Sequence, residues 1–248
     1  MGWFENLKSY FANRAQNKIA RYTKLVKNPK AIKEDRQAAL EYFISHKDPI
    51  VAVPALLERF EYSLEHGIND TREKESALNG IVKHKDAAIP IIQAQLLRTT
   101  KIAWPIKALN SIGQESLVIE TLKTALNFTD VAFDQAQVDK NYDILCYMRD
   151  FKVPGFHKEL AHFLQDSDER VRFAAIEALL EQGDDDIPAI VEPFLVDETN
   201  ENRRIRQGVL DAFLTKKWKL KQKDRFANGH VVGNIFVNSH GILELKKQ

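Results

Sequence analysis

Two tripeptides carry the most suggestive chemistry in this chain, His46-Lys47-Asp48 and His84-Lys85-Asp86, set 38 residues apart. An imidazole and a carboxylate two residues apart, repeated in neighbouring loops, are the raw material of a divalent-metal site. The competing account is that Asp48 and Asp86 cap the helices that follow, leaving the histidines to face solvent. Capping explains the placement with fewer requirements, so no metal is expected. Asp184-Asp185-Asp186 lacks the spacing of a calcium loop, and acids at a helix start complement its dipole. Cys146 is the single cysteine. It excludes an internal disulfide and a thiolate zinc site within one chain, and it reads as a packing residue rather than a nucleophile. The sequence has no Gly-rich phosphate loop, no Gly-x-Ser-x-Gly and no Ser/His/Asp signature. No catalytic residue, cofactor or small-molecule substrate is therefore expected.

The elements behind these loops are clearest from Asp166 to Gly183, which opens with a helix cap and runs through an apolar face at helical spacing. It places alanines where a neighbouring helix must come close, and it stops on a glycine. Weaker copies align on a small residue followed by a large one: Ala39-Leu40, Ala77-Leu78, Ala108-Leu109, Cys146-Tyr147, Ala178-Leu179 and Ala212-Phe213. Their spacings are 38, 31, 38, 32 and 34 residues, near what two-helix repeats require. Second helices are expected at Pro49–Leu64, Ala87–Leu97, Gln114–Asn127, Val153–Leu164 and Ile187–Val196. Pro54, Pro90 and Pro188 fall in or near their first turns, where a missing N–H costs least. A two-helix hairpin has too little interior to be stable alone, so it must stack on neighbours.

This pattern resembles HEAT-like repeats over about residues 33–215. The resemblance implies an all-α fold, a right-handed α-solenoid of about six two-helix repeats. It also implies that the basic residue six before each aligned position (Lys33, Lys140, Arg172 and Arg206 in four repeats) pairs with an acidic neighbour between repeats. Among HEAT-like enzymes, the iron-dependent hydroxylases hold metal with repeated His-Glu pairs, and no histidine here precedes a glutamate. HEAT-like phycobilin lyases leave no single residue signature to match. HEAT-like DNA glycosylases use a catalytic Asp beside aromatics in a basic groove. Trp104 and Trp218 are available, but the middle of this chain is acidic and repels phosphate.

Both ends differ from the repeats. Residues 1–28 place Phe4, Leu7, Phe11, Ala15, Ile19, Tyr22 and Val26 at steps of three and four, with lysines and arginines largely off that face. This amphipathic helix is expected to cap the first repeat, with attachment to an anionic membrane surface as the alternative. Residues 216–248 are expected to form a basic connector and a β-hairpin cap, the strands Val231–Val237 and Ile242–Leu245 flanking an Asn/Gly turn. No run of 18 apolar residues and no secretory leader is present, and a cytoplasmic location is expected.

The net charge of +1 conceals segregation. Residues 1–36 carry nine Lys and Arg against three acids, and residues 203–225 carry nine against two. Residues 37–202 carry 16 against 29. The resemblance implies a non-enzymatic interaction scaffold holding a basic protein segment on its second helices, with Glu58, Glu61, Glu65, Gln93 and Glu192 as contacts. The alternative is nucleic-acid backbone binding through Arg203, Arg204, Lys216, Lys217, Trp218, Lys219 and Lys221.

Overall fold

A computed structural model of the chain describes residues 2–113, 115–129, 134–196, 203–222, 226 and 235–246. The side chains of residues 2–9, 11 and 12 lie outside this set. The described residues are mostly helical, with one small antiparallel sheet. They divide into two compact units, residues 1–125 and 126–248.

In the first unit a long helix α1 (Gly2–Lys27) precedes three helical hairpins: α2 (Lys33–Ser45) with α3 (Pro49–Leu57), α4 (Gly67–Val82) with α5 (Ile89–Arg98), and α6 (Ala103–Ile112) with α7 (Glu115–Ala125). Neighbours pack in kind: α2 on α4 and α4 on α6, then α3 on α5 and α5 on α7. The aligned pairs are the reason. Ala39-Leu40, Ala77-Leu78 and Ala108-Leu109 are all buried, the small residue admitting the adjacent backbone and the large one filling the layer. Gly80 of α4 takes this furthest: a Cβ there would lie 2.8 Å from Cγ1 of Ile44 and 2.9 Å from Cδ1 of Leu56. Phe60 and Trp104 stack at 5.6 Å between centroids, linking the end of the first hairpin to the start of the third.

The second unit holds α8 (Gln135–Met148), α9 (His157–His162), α10 (Glu169–Glu181), α11 (Ile187–Val191) and α12 (Arg203–Lys216). Here α10 packs on α8 and on α12. Asp168 is its N-cap, accepting from the Arg170 amide at 2.8 Å, as the sequence predicts. Ala178-Leu179 and Ala212-Phe213 are buried, but Cys146-Tyr147 is only half-buried. The packed positions of α8 are Ile144, Leu145 and Met148, so the expected register of that helix is displaced.

The second helices are shorter than their apolar runs. The one expected over Pro49–Leu64 is α-helical to Leu57 and closes as a 3-10 turn, Glu58–Glu61. Those of the second unit end likewise, at Phe163–Gln165 and Glu192–Val196. Asp48 caps α3, accepting from the Ile50 amide at 2.9 Å. Asp86 caps nothing: it sits inside a 3-10 turn, Lys85–Ala88, and α5 starts after Ala88.

The chain ends on strands β1 (Ile235–Val237) and β2 (Leu243–Leu245), paired antiparallel with Phe236 opposite Glu244. The Asn238 side chain accepts from the amides of His240 and Ile242 and shapes the turn, and Gly241 takes the left-handed conformation (φ 78°). The expected strand residues Val231–Asn234 lie outside the described set. Leu243 is fully buried, and β2 lies against α12. The connector joins this sheet: Lys219 bridges to Ile242, and the Leu220 amide donates to the Gly241 carbonyl at 2.8 Å.

Candidate functional site

The second helices of the first unit reach their position through a buried charge cluster. Arg36 of α2 and Arg59 of the 3-10 turn each donate from Nε to Oε2 of Glu73 on α4, both at 2.8 Å. Arg36 adds a second bond to Oε1 at 2.9 Å and a third to the Ala31 carbonyl. Arg59 reaches on to Oδ1 of Asp70 at 2.7 Å, and Lys74 holds the other oxygen of that carboxylate at 2.7 Å. The Leu64 amide completes Asp70, and the Arg59 guanidinium lies 4.5 Å from the Tyr62 ring centroid. Arg36, Arg59, Glu73 and Lys74 are all buried, so each charge needs these partners.

Burial alone would raise the Glu73 carboxyl, but the hydrogen bonds from Arg36 and Arg59 outweigh it and hold the group below the usual carboxylate range. Asp70 is lowered in the same way: burial opposes, and Lys74, Arg59 and the Leu64 amide prevail. The pairing between the first two hairpins is therefore made by Arg36 and Arg59, while Lys33, the residue expected to make it, is exposed. Arg172, another of the expected set, donates to the carbonyls of Asp166 and Ser167.

With α3 and α5 fixed side by side, their solvent faces present apolar residues. Ile50 is 75% exposed and Pro54 follows one turn later on α3; α5 exposes Pro90, Ala94 and Leu97, the last at 49%. The two helices are tied at their ends, where Glu61 accepts from Gln95 and from Thr99, the latter at 2.9 Å. Glu58 accepts from Lys27 at 2.7 Å, Gln93 donates to Thr121 of α7 at 2.9 Å, and Glu65 is exposed in the following loop.

Glu192 stands apart. It is 6% exposed, and its two carboxylate oxygens accept from the amides of Lys221 and Gln222, both at 2.8 Å. A carboxylate so enclosed holds the connector in place and offers nothing to a partner, which corrects the expectation for this residue. Much of the acidic run is engaged similarly. Asp168 caps α10 and pairs with Arg170, Glu177 pairs with Arg149, and Asp184 and Asp186 stand 3.0 Å from the two ring nitrogens of the buried His157. The acids Asp197, Glu198 and Glu201 lie outside the described residues.

The basic candidates are distributed differently from what the sequence suggests. Trp218 is half-buried and sits edge-on to Phe213 at 5.4 Å, so its ring is not an open stacking platform. Lys216 donates to the Leu180 carbonyl, and Arg204 lies 4.1 Å from the Phe173 ring centroid with Glu169 nearby. Arg203, Lys217, Lys219 and Lys221 are exposed.

Among the described residues no group of three His, Cys, Asp or Glu side chains is arranged to hold a metal ion. Desolvation lowers the affinity of His84 for its proton, with the neighbouring His46 adding to the effect. Burial pushes the Cys146 thiol up, the opposite of an activated nucleophile. None of these positions had a sequence signal for the Arg36–Glu73–Arg59 cluster, whose members are 37 and 14 residues apart. No protein-family model matches the chain, and no curated protein and no solved structure matches it either.

Proposed function

We propose that this chain is a HEAT-like α-solenoid of about six two-helix repeats that serves as a non-enzymatic scaffold. Its second helices receive a segment of a partner protein. The observation that carries this reading is the exposure of Ile50 and Pro54 on α3 and of Ala94 and Leu97 on α5, two helices that pack on each other. Side chains of this kind gain from being covered, and a contiguous patch rimmed by polar groups is the usual form of a docking surface. Further support comes from the packing of like helix on like helix within each unit, the order that stacked hairpins produce.

The rim of Glu58, Glu61 and Glu65 selects a partner segment that is apolar on one side and basic on the other. The apolar contacts supply affinity, and the carboxylates set selectivity and association rate. Glu58 already pairs with Lys27, half-exposed, so a partner lysine or arginine competes with an internal cation of modest hold.

The test is capture from native lysate by the intact chain, by an Ile50→Asp/Leu97→Asp variant and by an Asn79→Asp control on α4. Both substituted sites and the control are exposed, so folding is preserved in each. A protein retained by the parent and the control and lost from the double variant supports the proposal. Retention by all three places the partner elsewhere and sinks this face.

A further inference from the structure

We infer that the first two-thirds of α1 form a membrane-surface anchor for anionic lipid, beyond any capping role. Helix α1 is 26 residues long, about 39 Å at 1.5 Å per residue. Among its described side chains the buried ones lie in the last two turns: Ile19, Tyr22, Thr23 and Leu25 are half-buried and Val26 is fully buried against the first hairpin. Tyr22 meets Tyr42 of α2 at 5.0 Å, and the Tyr62 hydroxyl donates to the Val26 carbonyl at 2.6 Å. Among the described side chains, the cap expected of residues 1–28 is made by residues 19–26.

Upstream, every residue from Asn13 to Lys18 is exposed, and of these Lys18 reaches the first hairpin, its Nζ 4.7 Å from the Tyr42 ring centroid. Ala15 decides the point. It belongs to the stripe that packs at Ile19, Tyr22 and Val26, one turn earlier, and it is in solvent. By the helical period the same stripe runs back through Phe11, Leu7 and Phe4, with Trp3 beside it. A helix of this length gains little stability in water from propensity alone, and an apolar stripe needs something to cover it.

The charge says what that is. Between residues 2 and 27 the chain has six cations, Lys8, Arg14, Lys18, Arg21, Lys24 and Lys27, against Glu5 alone. An apolar stripe with aromatics, bordered by lysine and arginine, lies in the plane of an anionic bilayer with its stripe at the acyl boundary. A protein partner matching this helix would need an acidic groove; the bilayer supplies both the charge and the apolar layer without one.

The experiment uses the full chain and vesicles of phosphatidylcholine alone or with 30% phosphatidylglycerol, read by co-sedimentation. Binding is expected to the anionic vesicles, weakening with added salt. Phe4→Glu/Leu7→Glu/Phe11→Glu should cut partitioning about tenfold or more, since each removes a buried apolar side chain. Arg14→Gln/Lys18→Gln should weaken it less and flatten the salt dependence. An unchanged melting temperature in these variants confirms that the packed part of the chain is intact. Absence of binding to anionic vesicles, or binding that the triple variant leaves unchanged, overturns the inference. So does a dimer by light scattering that the triple variant converts to monomer, because a second copy would then be what covers the stripe. Lysate capture by the Ile50 and Leu97 face reads the scaffold proposal separately.

Discussion

Two glycines separate what a residue does by itself from what its surroundings make of it. Both lie inside helices, Gly80 in α4 and Gly208 in α12, where alanine is intrinsically favoured by about 1 kcal/mol. Nothing lies within 4 Å of a Cβ at Gly208, so Gly208→Ala should raise stability by roughly that amount. At Gly80 the added carbon meets Ile44 and Leu56 below 3.0 Å, in a layer with no room to spare. Overpacking of about 1–3 kcal/mol outweighs the propensity gain, so Gly80→Ala should give a net loss of about 1 kcal/mol. Urea titration of the two variants against the parent decides both signs. A stabilised Gly80→Ala would mean that α2, α3 and α4 do not approach as closely as described.

Elements are joined in this chain by polar groups that sequence periodicity does not reveal. Glu73 is the clearest case, since it accepts from both Arg36 of α2 and Arg59 at the end of α3, with Asp70 as the second partner of Arg59. Glu73→Gln keeps the shape and removes the charge, leaving two buried guanidiniums underpaired, at a cost of about 3–5 kcal/mol. Because the folded carboxyl sits below its ordinary range, near pH 4 in an unfolded chain, its contribution is complete above that range. It is lost as pH falls through the folded value. Stability measured from pH 6 downward should therefore fall steeply in the parent and less steeply in Glu73→Gln, with identical slopes counting against the cluster. In the second unit, Glu192 performs the comparable task for the connector. Glu192→Ala should cost about 1–3 kcal/mol and accelerate amide hydrogen exchange at Lys221 and Gln222, the two donors it leaves unsatisfied. Protection at those amides that survives the substitution would show that the hairpin alone holds this segment.

At the scale of the whole chain, the charge segregation visible in the sequence divides into two kinds. The acids between Asp166 and Glu192 are largely engaged within the second unit, as caps, ion pairs and the carboxylates around His157. The described cations of α1, Arg14, Lys18, Arg21, Lys24 and Lys27, and the exposed Arg203, Lys217, Lys219 and Lys221 remain at the surface. These exposed cations add attraction to anionic surfaces, apart from the rim of Glu58, Glu61 and Glu65, and the vesicle measurement reads it in the intact protein. The helical character, the hairpin spacing, the buried Ala-Leu pairs, the Asp48 and Asp168 caps and the terminal β-turn were all legible in the sequence. Each depends on residues within a few positions of one another, where period and capping chemistry act directly. What only the tertiary structure decided was which polar groups meet. Arg36 and Glu73, His157 and Asp186, and Glu192 and Lys221 are 37, 29 and 29 residues apart, and no local rule couples them. The same holds for Ala15 and Glu192, one on an apolar stripe yet exposed, the other charged yet buried. Period assigns a residue to a face of its helix, but what lies against that face is fixed by the packing of distant segments.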